Sequence, residues 1–158
     1  MSDATSDPTD MLAWHKWKLG WIDNSQVDCA AEHNTTTEHT LTPLATTGGT
    51  KMAVIPTGDS TGLVIEARTK DGLDRTQCAE GILLYRVDTT RAGGRNPVTV
   101  YAGNEPDQCG KAKGGNWREL ANAPYHVGQT YQDPQTHTTI TVTSRHHDGT
   151  YTVKITRN

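Results

Sequence analysis

The chain has 158 residues, of which 33% are apolar and none is Phe, and its 15 basic and 18 acidic side chains give a formal net charge of −3. That length suits one ordinary domain with a real core, while the charge balance provides no basic field for nucleic acid. No run approaches the roughly 18 apolar residues that cross a bilayer as a helix, so neither nucleic acid nor a membrane is an expected partner.

Residues 1–10 are small and acidic. They lack the basic and apolar regions of a signal peptide, which fits either a cytosolic protein or a trimmed start. Asp7 and Pro8 read as a helix start, because Asp caps well and Pro suits the first helical position. The helix is expected to reach Leu19 and stop at Gly20. Lys16 and Lys18 lie in its last turn, where cations are favoured. Met11, Trp14, Trp17 and Trp21 recur at helical spacing and give one face a tryptophan stripe.

Beyond Trp21 the pattern turns to Thr, Val, Gly and Tyr, which suits short strands joined by turns. Residues 40–44 read as a short extended run at a proline, and 51–55 and 63–68 are expected strands, with Gly- and Thr-rich linkers between them. Residues 81–88 are the most apolar, and their unbroken run predicts a central strand buried on both faces. Residues 98–101 form another short strand, and 103–116 read as a long loop. Residues 139–144 alternate with Ile140 and Val142 inward, and 151–156 alternate with Tyr151, Val153 and Ile155 inward. Between them His146, His147, Asp148 and Gly149 supply a turn, so the chain is expected to end in a β-hairpin. The fold class that follows is mainly β: an N-terminal helix, then a sandwich or partly open barrel of about seven or eight short strands.

The run Trp14-His15-Lys16-Trp17-Lys18-Leu19-Gly20-Trp21 places three tryptophans within eight residues. It resembles the segment that closes the catalytic domain of secreted zinc metalloproteases of the immune inhibitor A type. The stretches from Cys78 to Asp88 and from Tyr131 to Thr136 are also similar to members of that family. The resemblance implies that residues 1–22 end a catalytic domain and that 23–158 form a β-rich domain behind it. It further implies a secreted protein trimmed at its start, with the catalytic domain in cis or a protein substrate as partner. The family's zinc needs a His-Glu-x-x-His helix and a third ligand. This chain has no such motif, so no catalytic residue, metal ligand or cofactor is assigned to it.

Three cysteines occur, at 29, 78 and 109. None has the spacing of a C-x-x-C pair, and three reduced thiols would suit a cytosolic protein. The secreted resemblance favours one disulfide. Cys78 and Cys109 flank the apolar strand and the one after it, so they are expected to pair, at a gain of roughly 3 kcal/mol, leaving Cys29 over.

Other residues invite chemistry and have a plainer reading beside it. His33 and His39 flank a Thr-rich stretch, but six residues of extended chain separate side chains by roughly 20 Å, and a solvated polar loop is expected there. His146 and His147 are adjacent in a turn, and neighbours on a strand point apart. Cys29 and His33 could make a thiol–imidazole pair, against a structural role for the thiol. Asp71, Asp74 and the loop at Asp133 offer oxygens to calcium, against ordinary turns. Trp14, Trp17 and Trp21 could stack on sugars; their plainer role is to join helix to sheet, each burying roughly 200 Å². Trp117 is expected to close one end of the core.

Overall fold

The computed structural model describes residues 9–75, 77–103 and 123–158. The chain is mainly β, with 42% strand against 9% helix, and among the described residues nine strands form two sheets with no closed barrel. A short helix α1 (Ala13–Lys18) comes first, followed by β1 (Val27–Cys29), β2 (Thr35–Leu41), β3 (Met52–Pro56), β4 (Thr61–Arg68) and β5 (Gly81–Asp88). Then come β6 (Val98–Tyr101), β7 (Thr130–Asp133), β8 (Thr138–Arg145) and β9 (Tyr151–Arg157).

One sheet has the order β1-β3-β4-β5-β6 and the other β2-β9-β8-β7. All pairings are antiparallel except β1 with β3, which is parallel. The main core lies between the sheets. Ile55, Leu63, Ile65 and Leu84 from one sheet meet Leu41, Ile140, Val153 and Ile155 from the other. Alternation puts the next residues of the same strands on the outer face of the five-stranded sheet. There Met52, Val64, Tyr85 and Val87 form a second cluster under Leu12, Ala13, Ile22 and Leu44. Residues 10–22, which the resemblance places at the end of a preceding domain, thus share a core with the β-rich part.

The closing hairpin matches its expectation. The His146 amide donates to the Thr150 carbonyl at 2.8 Å, and the Gly149 amide to the His146 carbonyl at 3.0 Å. Gly149 has φ +84°, which glycine adopts without strain. β5 keeps its expected bounds but is not central, since β4 occupies the middle of its sheet. β4 is the more deeply buried of the two, with seven of its eight residues buried. Its charged Glu66 and Arg68 interrupt the apolar run that made β5 look the deeper strand.

Three expectations are corrected. The helix starts at Ala13, with Leu12 in extended backbone at its N-cap and no side-chain cap; Asp7 and Pro8 lie outside the described residues. The stretch around His39 is a strand, β2, rather than a loop. β1 and β7 are strands that the sequence pattern does not announce. Most of the expected 103–116 loop, Cys109 and Trp117 lie outside the described residues.

Candidate functional site

Among the described residues, a dense charge cluster sits on the outer face of β4, under the N-terminal segment. Glu66 is fully buried. One of its oxygens accepts the Arg68 Nε–H at 2.7 Å. The other accepts the Ala13 amide at 2.7 Å and the Tyr85 hydroxyl at 2.6 Å. Arg68 also donates to Asp74 at 2.6 Å and to the Met11 carbonyl at 3.0 Å. Asp74 in turn accepts the Asp10 amide at 2.9 Å, and the Trp14 amide donates to Tyr85 Oη at 3.2 Å. Burial disfavours the Arg68 charge, but the Glu66 and Asp74 carboxylates outweigh it and hold the guanidinium above its ordinary pKa. Burial, then the Glu66 carboxylate, raises the Tyr85 phenol well above its ordinary value. Every member of this network is hydrogen-bonded, so it serves as a clamp that fixes the strap from Asp10 to Trp14 against the sheet.

Two more arginines join parts of the sandwich. Arg86 on β5 reaches Asp133 of the other sheet at 2.9 Å and Tyr101 Oη at 3.1 Å. Thr136 adds its amide, at 3.0 Å, and its hydroxyl to the second Asp133 oxygen. Burial alone would raise the Asp133 pKa, but the Thr136 hydroxyl and Arg86 lower it overall. Arg157 on β9 donates to the Ala30, Ala31 and Pro56 carbonyls at 3.0, 2.8 and 2.7 Å. The calcium reading loses two of its oxygen donors here: Asp74 and Asp133 are taken up by Arg68 and Arg86, and Asp74 belongs to a 3-10 turn.

The histidines separate. His33 Nε2 lies 3.4 Å from Arg157, whereas His39 faces β1. His39 Nδ1 is 2.9 Å from Asp28 Oδ2, and its Nε2 is 2.9 Å from Thr37 Oγ1. No group of three or more metal-ligating side chains occurs among the described residues. His146 bonds the Thr152 hydroxyl at 2.8 Å. Cys29 is free and exposed. Because Cys109 is outside the described residues, the Cys78–Cys109 pairing remains a proposal.

The tryptophans do not act as one stripe. Trp14 and Trp17 meet edge to face at 5.3 Å. The Lys18 ammonium sits 4.7 Å from the Trp14 ring centre and 4.4 Å from that of Trp17. Those two rings help cover the second core cluster, and the lysine occupies the faces a sugar would need. Trp21 points away and is 66% exposed. Near Trp14 lies a shallow cavity lined by Val54, Pro56, Ser60, Val87 and Thr89, with Asp59 as its one ionisable group. It therefore lacks an acid–base pair.

No protein-family model, curated protein or solved structure matches this chain.

Proposed function

We propose that the chain is a non-catalytic β-rich part of a secreted metalloprotease-like protein, supporting a catalytic domain or holding protein substrate. The observation that carries this reading is the two-sided strap. Its inner side is locked by Glu66, Arg68 and Asp74. The strap and the helix and turn that continue it expose Met11, Leu19 and Trp21, three of the five large hydrophobics exposed among the described residues. A fourth, Leu73, adjoins Asp74, which holds the Asp10 amide. Scattered exposed apolar residues are ordinary; we read their grouping on one segment as a contact surface. A rigid strap with an apolar outer side suits a neighbouring protein domain. Zinc would belong to that neighbour.

Two measurements test the reading. The coding sequence upstream of Met1 is expected to specify a His-Glu-x-x-His segment. The purified chain, given zinc, is expected to leave casein intact. An upstream in-frame stop, or casein cleavage that a chelator abolishes, would overturn it. A stand-alone module for a protein ligand would use the same exposed segment, and the upstream stop is the outcome that would favour it.

A further inference from the structure

We infer that Thr37, His39 and Asp28 form an acyl-transfer site at the open edge of the sandwich, with small activated esters as substrates and Thr37 as nucleophile. This goes beyond the proposed function, in which non-catalytic means without a zinc-proteolytic centre, and it needs no metal. β1 and β2 are the outermost strands of their sheets. Asp28 comes from β1, and Thr37 and His39 from β2, so the three side chains meet only once the sheets are packed. Thr37 and His39 are two apart on one strand and share a face.

The geometry is that of a hydroxyl–imidazole–carboxylate relay. Thr37 Oγ1 lies 2.9 Å from His39 Nε2, and His39 Nδ1 lies 2.9 Å from Asp28 Oδ2. Each ring nitrogen faces a different partner, as nucleophile activation requires. With the Nδ1 proton donated to Asp28, the Nε2 lone pair is left to accept the Thr37 hydroxyl proton. Thr37 and His39 are partly rather than fully buried, so a small ester can reach the hydroxyl. β9 pairs only one side of β2. Alternate backbone N–H groups along β2 therefore point away from the sheet, the kind of donor that a developing oxyanion requires.

The steps balance. Thr37 Oγ1 bonds to the acyl carbon as its proton passes to His39 Nε2. The ester C–O bond breaks, and the leaving alcohol takes that proton. Water then gives a proton to Nε2 and attacks the acyl-threonine. The carboxylic acid leaves as Thr37 recovers its proton. Asp28 acts as a positioning residue, holding the imidazole in the required tautomer. The same bonds would also join the two sheet edges in a purely structural role, and that role forms no acyl-threonine.

The test uses p-nitrophenyl acetate and the full chain carrying Cys29→Ala, because the exposed Cys29 thiol can attack esters by itself. Turnover above buffer is expected, retained in Thr37→Ser and lost in Thr37→Val. Asp28→Asn should lower kcat by roughly 100-fold with KM unchanged. An aryl phosphofluoridate should leave one adduct, on Thr37, by peptide mass spectrometry. Thermal unfolding of each variant separates loss of the relay from loss of fold. No turnover in the folded Cys29→Ala chain, equal turnover in folded Thr37→Val, or no adduct on Thr37 would overturn the proposal.

Discussion

Replacing Arg68 with Met tests the account of the clamp most directly. The substitution keeps much of the aliphatic stem and removes the guanidinium. Four contacts vanish: Glu66 at 2.7 Å, Asp74 at 2.6 Å, and the carbonyls of Met11 at 3.0 Å and Asp10 at 3.3 Å. Glu66 keeps the Ala13 amide and the Tyr85 hydroxyl. Two buried carboxyl groups nevertheless lose their cation, with side-chain exposures of 0% for Glu66 and 5% for Asp74. Breaking a buried pair from one side costs about 3–5 kcal/mol. That is a large part of the roughly 5–15 kcal/mol that holds a domain together. For a chain of this size it corresponds to a fall in Tm of roughly 6–20 °C. Circular dichroism during heating, with urea unfolding at fixed temperature, measures it. The double variant Arg68→Met, Glu66→Leu should lose less than the two single changes added together, because removing both partners leaves fewer orphaned charges. A single-variant loss under about 1 kcal/mol, the range of an exposed ion pair, would refute the reasoning.

Three further outcomes are expected. A chain starting at residue 23 lacks Leu12, Ala13 and Ile22, which cover the second cluster; it should lose cooperative thermal unfolding, followed by circular dichroism, and unchanged melting would contradict the shared core. Stability should fall as pH rises past about 10, the ordinary tyrosine value, because the unfolded chain gives up protons that the raised phenols of Tyr85 and Tyr131 retain. Urea midpoints across that range measure the slope, Tyr85→Phe should reduce it, and a flat response would contradict it. Labelling the denatured, unreduced chain with a thiol reagent should mark Cys29 alone; three labelled cysteines would reject the Cys78–Cys109 pair.

Strand legibility followed the apolar signal. β8 and β9 show inward Ile140, Val142, Tyr151, Val153 and Ile155, and this alternation sets their register. β2 gives no such signal. Its inward residues before Leu41 are Thr35, Thr37 and His39, so the chemistry that turns toward β1 is also what disguises the strand. β1 is three residues long and finds its parallel partner only at Met52, beyond the reach of local patterning. β7 is short, and its one large aromatic is Tyr131. The helix start departs from its local signal because Asp7 and Pro8 argue locally, whereas Arg68 and Asp74 hold residues 10 and 11 from more than fifty positions away. The clamp did leave a trace: Glu66 and Arg68 stand two apart on one face of an otherwise apolar strand. Charges so placed require partners, though the sequence does not reveal that Asp74, Tyr85 and the strap provide them. The Thr37–His39–Asp28 relay left less, because Asp28 joins it across two sheets.

The pairing of β2 with β9 joins Thr35 to Arg157 and so ties together segments separated by most of the described fold. During synthesis the run β3–β6 can zip up hairpin by hairpin as it leaves the ribosome. The other sheet must wait for β9, leaving β2 an unprotected edge until that strand emerges. Long-range pairing of this kind slows folding and lengthens exposure to aggregation. Charged Glu38 and the threonines beside it on β2 suit that interval, since a polar edge resists joining the wrong neighbour.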